Sequence, residues 1–254
     1  MSIVFALSNM RVSPRLLHGK GGPGKEGGSL FGWAPASKDA TYNPPLYPGA
    51  SDHWNLLSLF FKESIMTKLK IVGICGSLRA KSFNLSALHA AGDLMPEGMG
   101  MEIAPLHDLP MYNADLQAIG MPESVQKLRD VMASADGLMI AAPDFNWTIS
   151  APLKNMIDWI SRFPAGQQPF FQKPVAIVSA TMGPLGGARV QYDVRRSLSG
   201  LGVLDLAKPE IFINNAHTKF DAAGKLTDEA TLKIMQEQMV AFQDWIVRMK
   251  RAYP

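Results

Sequence analysis

The sequence predicts an α/β fold: a parallel sheet covered by helices on both faces. Three observations carry this expectation. From Lys70 onward, short apolar runs alternate with segments of helical period. Residues 137–142 form an unbroken apolar run, as a central strand buried on both faces requires. Three of the strands are followed by loops rich in hydroxyls, amides or glycine, at the edge where open α/β sheets hold their ligands.

The elements follow in order. Residues 70–75 read as the first strand. A helix over 82–94 has Leu85, Leu88 and Ala91 on one face, and 101–105 is the second strand. The helix over 122–135 opens with a proline and places Val125, Leu128 and Val131 or Met132 at helical spacing. Strand three is 137–142, and the helix over 151–160 again has proline near its start. Strand four covers 174–180, a helix 189–201, strand five 210–213 and a long closing helix 227–251. There is no internal repeat.

Bulk properties narrow the class. The 254-residue chain is 47% hydrophobic and 19% charged, enough to fill a core, and the 15 methionines suit its gaps. A net charge of +3, without a basic run interleaved with aromatics, argues against a nucleic-acid partner. No apolar run approaches the roughly 20 residues of a membrane span. One cysteine, Cys75, precludes an internal disulfide and fits a reducing compartment, so a cytoplasmic location is expected. His18, His53, His89, His107 and His217 show no metal-ligand spacing, and no metal is expected.

Composition shifts near Met66. Residues 1–65 cluster Gly and Pro without periodicity and bury too little apolar surface to offset the entropy of ordering. They are expected to be mostly disordered, with one short amphipathic helix at 53–61. Three readings of the segment stand. It lies outside the working protein, whose natural start is Met66-Thr67-Lys68. It is a targeting peptide, since the first 25 residues hold Arg11, Arg15, Lys20 and Lys25 and no acid. Or it is a partner-binding tail, for which no motif is present. Residues 66–254 form the α/β domain.

The three loops carry the chemistry. In the first, Ser77, Ser82 and Asn84 donate from side chains, amides near the helix start point the same way, and Arg79 adds a guanidinium suited to phosphate oxygens. The loop lacks the Gly-Lys-Ser/Thr of a P-loop and the three-glycine dinucleotide fingerprint, so it suits a terminal monophosphate. A plain helix cap is the alternative, but three polar side chains and an arginine exceed what a cap needs. The second loop runs from Pro143 through Asp144, Phe145, Asn146 and Trp147 to Ser150. It offers backbone groups to the polar edge of a flat heterocycle and aromatics to flank it; the alternative is a turn with its aromatics packed inward. In the third, Gly183, Gly186 and Gly187 let backbone approach a ligand closely or simply make a flexible turn. Their joint occurrence favours one ligand site.

Four segments carry a resemblance: Gly76-Ser77-Leu78-Arg79-x-x-Ser82-Phe83-Asn84, Pro143-Asp144-Phe145-Asn146, Leu153-Lys154-Asn155-x-Ile157-Asp158-Trp159 and Gly183-x-x-Gly186-Gly187-Ala188-Arg189. In this order, within residues 69 to about 250, they resemble the NADPH-dependent FMN reductase-like family, a flavodoxin-like group that includes soluble quinone, chromate and azo-dye reductases. The resemblance implies a doubly wound five-stranded sheet of order 2-1-3-4-5, FMN held non-covalently, and NADPH or NADH as co-substrate. It implies the FMN phosphate at Ser77, Arg79, Ser82 and Asn84, with Phe83 contributing its backbone amide. Pro143, Phe145, Asn146 and Trp147 would border the isoalloxazine. Ser179, Thr181, Met182 and Gly183 would lie near its pyrimidine side or the ribityl chain. Asp144-Phe145 stands where the family pattern has Glu-Tyr, so the acid is shorter and the phenol oxygen is missing while a ring remains. A homodimer or homotetramer, with a neighbouring chain completing the pocket mouth, is also implied.

The implied activity is ping-pong transfer from NAD(P)H to FMN and then to a quinone, flavin, chromate or azo acceptor. The flavin carries the chemistry, so no catalytic acid or base is assigned. Backbone N–H groups of the second and third loops would stabilise negative charge on the reduced ring. The rival from another class is a flavodoxin-type electron carrier, since fold alone does not settle function. Such carriers are usually strongly acidic, unlike this chain. A module that kept the fold and lost the cofactor is opposed by the intact set Ser77, Arg79, Ser82 and Asn84. Elsewhere, Cys75 reads as a structural thiol, and Lys154 and Asp158 as structural or at a subunit contact. Arg189 either reaches the nicotinamide phosphate or covers a helix face, and Trp159 and Phe163 are candidates for an interface.

Overall fold

The computed structural model describes residues 68–254. The expectations for residues 1–65, the helix at 53–61 and the start at Met66 lie outside the described residues. The chain runs β1 (Leu69–Cys75), α1 (Phe83–Asp93), β2 (Met99–Ala104), α2 (Ala114–Ile119), α3 (Glu123–Ala133) and β3 (Gly137–Ala141). A hairpin of β4 (Asp144–Phe145) and β5 (Thr148–Ile149) follows, then α4 (Ala151–Ile160), β6 (Pro174–Ala180) and α5 (Ala188–Ser199). Two short strands, β7 (Leu204–Asp205) and β8 (Ile211–Ile213), and the closing α6 (Glu229–Ala252) complete it.

The central sheet is parallel throughout, in the order β2-β1-β3-β6, with β7 and β8 both paired to β6 at the far edge. This is the expected order 2-1-3-4-5, with its fifth place filled by two pieces instead of one. β7 pairs with Pro174 and Val175, and β8 with Val178 to Ala180. Between them Pro209 has no N–H to give to a ladder. The fully buried Gln238 fills the gap, its amide donating to the carbonyls of Ile177 at 3.2 Å and Pro209 at 2.7 Å.

Strand residues alternate between two apolar layers, the period-2 geometry of a sheet buried on both faces. On one face Val72, Ile74, Leu138, Ile140, Val175 and Ile177 pack against α3, α4 and α5. On the other, Ile71, Met139, Ala141, Ala176 and Val178 pack against α1 and α6. The predicted helix faces are used: Leu88 and Ala91 of α1 and Val125, Leu128 and Met132 of α3 are buried, while Leu85 is half-buried.

Four elements were not legible in the pattern. α2 buries no residue, and the hairpin strands and β7 span two residues each, too short to show a period. One expectation is corrected. Trp159 and Phe163 belong to the core: Trp159 is fully buried, donates its indole N–H to the Pro110 carbonyl at 2.7 Å and meets Tyr112 edge-on. Lys154 and Asp158 form a surface i,i+4 ion pair on α4. No helix among the described residues is long and apolar enough to cross a membrane. Among them, too, no three His, Cys, Asp or Glu side chains are grouped to hold a metal.

Cys75 ends β1 in the buried layer. Burial pushes its thiol up, against smaller opposite pulls from the Ser77 backbone N–H and the Ser82 hydroxyl. The nucleophilic thiolate is therefore scarce at neutral pH. A thiol reagent added to the native protein at pH 7 is expected to leave Cys75 unmodified until denaturant is added. Rapid labelling of the folded protein would contradict this.

Candidate functional site

The sheet register brings the three loops out together. Cys75 pairs with Ala141 and Ala141 with Val178, and the ladder runs on past the strands: Gly76 N–H donates to the Ala141 carbonyl, Ala142 N–H to Val178, and Thr181 N–H to Ile213, each at 2.9 Å. The loops after β1, β3 and β6 thus leave one edge side by side.

The first loop is held by its neighbours. Gly76 sits so close to the second loop that a Cβ would stand 2.7 Å from Pro143 Cδ and 2.9 Å from Ser150 Oγ. Ser150 precedes α4 but does not cap it; its hydroxyl donates to the Gly76 carbonyl at 2.7 Å. Asn84 ties the loop to β6. Its Nδ2 donates to the Ala180 carbonyl at 2.9 Å, and its Oδ1 accepts the Ala180 N–H at 3.0 Å. Its carboxamide thus takes both backbone groups of Ala180 at the end of β6, and its expected role as a free ligand donor is reduced to one remaining N–H.

What the first loop leaves open is a set of donors and a cation. Ser82 caps α1, its Oγ accepting the Asn84 N–H at 3.2 Å. Ser77 is at the limit of burial and accepts the Arg79 N–H at 3.4 Å. Among the described residues, the backbone N–H groups of Leu78, Lys81 and Phe83 have no acceptor. Arg79 is exposed, and among the described residues its guanidinium bonds only the Lys81 carbonyl, at 2.9 Å. These are the parts of an anion site at the start of an 11-residue helix. Phe83 sets its ring against Phe220, at 5.5 Å between centroids.

The second loop is a tight hairpin. Asn146 and Trp147 form its turn with φ of 54° and 67°, the left-handed pair a two-residue turn of type I′ demands. A tryptophan is strained there, and the surroundings hold it. The Arg189 guanidinium lies over the indole at 3.8 Å, and Thr148 Oγ1 donates to Asp193 on α5 at 2.7 Å. Phe145 and Trp147 are 51% and 68% exposed, so both rings face out of the core. Pro143 is buried at the root of the loop. Asp144 keeps one carboxylate oxygen, Oδ1, buried with no hydrogen-bond partner among the described residues. The stacking of Arg189 on Trp147 is neither of the two roles expected for it, and it leaves the nicotinamide phosphate untested.

The third loop is fixed from behind. Ser179 is fully buried, its hydroxyl donating to the Gly186 carbonyl at 2.6 Å and accepting from Gln191 Nε2 at 2.9 Å. Its side chain therefore supports the loop and is kept from its open side. Gln191, itself fully buried, also donates to the Ile211 carbonyl at 2.7 Å. Gly187, at φ 82°, begins α5, and a Cβ there would come within 2.7 Å of Ser179 Cβ. In front, Thr181 is half-buried and Met182 and Gly183 are exposed.

Sequence reasoning missed the supports: Ser150, Gln191 and the pair Thr148–Asp193. Ser150 stands directly before Ala151-Pro152, which reads as an ordinary helix start, and Gln191 lies mid-helix among polar residues. Neither has a local signal, because their partners are far along the chain.

Comparison with known proteins finds relatives of this chain. A family model described as NADPH-dependent FMN reductase matches residues 69–218. An NAD(P)H-dependent FMN reductase of Pseudomonas aeruginosa is 43% identical over 182 residues, covering 72% of this chain and 97% of that protein. A quinone reductase of Escherichia coli K12 is 38% identical over 186 residues, covering 72% and 98%. Among solved structures, FerB, a flavoenzyme NAD(P)H:(acceptor) oxidoreductase from Paracoccus denitrificans, superposes with a TM-score of 0.66 at 32% identity, covering 71% of this chain and 98% of its own.

Proposed function

Because this chain belongs to the NADPH-dependent FMN reductase family, we propose that it holds FMN across the three loops and moves electrons from NAD(P)H to a small acceptor. NAD(P)H:FMN oxidoreduction is the activity of the family. The carrying observation is the first loop, where an uncommitted arginine, capping hydroxyls and free amides gather at a helix start. That donor set fits a terminal phosphate dianion. When bound, FMN supplies the two-electron chemistry between NAD(P)H and the acceptor.

Each residue has a part in this reading. Ser77, Arg79 and Ser82, with the Phe83 amide and the spare N–H of Asn84, hold the phosphate. Pro143, Asn146 and the rings of Phe145 and Trp147 border the isoalloxazine. Thr181, Met182 and Gly183 lie along its pyrimidine side or the ribityl chain, with Ser179 as their support. Asp144 contributes an acceptor whose buried, partnerless Oδ1 is suited to a ligand N–H. No side chain is assigned as acid or base. Backbone N–H groups of the second and third loops stabilise charge at the ring's polar edge.

NAD(P)H and the acceptor use one open face in turn, which makes the kinetics ping-pong; quinones, free flavin, chromate and azo compounds all suit such a face. Leu78, Phe145, Trp147, Met182 and Leu185, all more than two-fifths exposed, give the three loops an apolar rim. That rim supports a homodimer or homotetramer in which a second chain covers the mouth. The enzyme acts in the cytoplasm, where its reductant is supplied.

The test is an absorption spectrum of the purified protein, then anaerobic NADPH. A flavin band that bleaches with NADPH and returns with added quinone is the expected result. A flavin band that neither NADPH nor NADH moves would make the protein an electron carrier instead. A colourless protein that does not take up FMN would overturn the site.

A further inference from the structure

A groove of about 930 Å³ runs along α1, between that helix and the 221–226 turn. Its lining joins apolar Phe83, Leu226 and Leu232 to three cations, Arg79, Lys81 and Lys225. None of the three takes part in an ion pair with an acid among the described residues. Two acids also line it, and neither cancels them. The Asp221 carboxylate accepts the N–H groups of Ala223 and Lys225, at 2.9 and 2.8 Å, and so closes its own turn. Asp93 is the last residue of α1, at the opposite end of the helix from Arg79. The turn is pressed onto α1 at Gly224, at φ 83°, where a Cβ would stand 2.9 Å from Ser86 Oγ.

An apolar trough with uncompensated positive charge selects an anion that carries a flat apolar body. Its volume suits a nucleoside phosphate. Arg79 belongs both to this groove and to the first loop, so the groove opens directly from the phosphate site. We propose that it receives the adenosine half of the reductant, with the 2′-phosphate of NADPH on Lys81 and Lys225, and that these two lysines set the preference for NADPH over NADH. The inference rests on NAD(P)H being the reductant. It adds a second anion site beside the first loop, resting on two side-chain ammonium groups, Lys81 and Lys225, that the flavin reading does not use.

The experiment uses FMN-loaded protein and the variants Lys225→Glu and Lys81→Ala. Calorimetric titration with 2′,5′-ADP and with 5′-AMP reads the groove without turnover. The wild type is expected to bind 2′,5′-ADP at least tenfold more tightly than 5′-AMP, the scale of one charge-assisted contact. Lys225→Glu is expected to remove about tenfold or more of the 2′,5′-ADP affinity and to raise KM for NADPH by a similar factor. KM for NADH, kcat and flavin content stay as in the wild type. Lys81→Ala, which keeps the backbone groups of the first loop, is expected to lower 2′,5′-ADP affinity to a smaller degree. Equal affinity for the two nucleotides, or unchanged 2′,5′-ADP binding in Lys225→Glu, overturns the groove assignment. Bleaching by NADH in the same samples keeps the two levels apart. If NADH bleaches the flavin while 2′,5′-ADP does not bind, the groove assignment alone falls; if neither coenzyme bleaches it, both fall.

Discussion

Arg79→Ala is expected to weaken FMN binding by about 10- to 150-fold, the worth of a charge-assisted contact of roughly 1.5–3 kcal/mol. It is expected to leave the unfolding midpoint where it is. Both halves of that statement follow from the position of the residue. Arg79 is exposed, and the Lys81 carbonyl is its only hydrogen-bond partner among the described residues. Removing it therefore opens no cavity and orphans no buried group, and surface changes of this kind sit within about half a kcal/mol. Its guanidinium is also the only arginine fork in the first loop. Arg79→Lys should recover part of the affinity, because it restores the charge without the planar pair of donors. The measurement is fluorescence titration of apo-protein with FMN, beside a denaturant melt. Full FMN affinity in Arg79→Ala would remove the phosphate from this loop.

The sequence shows a great deal of this molecule because most of its signals are local. The apolar runs at 137–142 and 174–180 announce strands buried on both faces, and the structure has β3 and β6 there. Ser82 before Phe83 reads as a cap and is one. The three loops read as ligand-bearing because hydroxyls, an arginine and glycines stand just after strands. What stayed illegible is long-range. Ser150 and Gly76 are 74 positions apart, yet they set the spacing of the first two loops. Trp159 has the composition of an interface residue, and only the packing of Tyr112 and the Pro110 carbonyl against it shows a core residue with a satisfied indole N–H. Asn146-Trp147 carries no glycine, so the usual hairpin signal was half absent. The strained turn exists because β4 and β5 pair across it and α5 holds Trp147 and Thr148 from outside. Asn84 was legible as polar and near the loop, but its partners on β6 were not.

That bridge sets the second large expectation. Asn84→Ala should lower stability by about 2–6 kcal/mol, since it leaves the buried N–H and carbonyl of Ala180 unpaired at about 1–3 kcal/mol each. Against total stabilities of about 5–15 kcal/mol that is a large share. It should also weaken FMN binding, by a route that Arg79→Ala does not share. Asn84 fastens the start of α1, where the Ser82 hydroxyl and the Phe83 amide sit, to the root of the third loop. Cutting the tie lets the two sides of the site move apart before any ligand contact is lost. The two variants thus separate by measurement: one loses affinity at constant stability, the other loses both. Excess FMN should restore part of the Asn84→Ala midpoint, because a ligand that binds only the folded state shifts unfolding by mass action. An unshifted midpoint in ligand-free Asn84→Ala would mean that the bridge does not bear on the fold. A shifted midpoint with unchanged FMN affinity would confine Asn84 to packing and free the flavin site from dependence on the β6 tie.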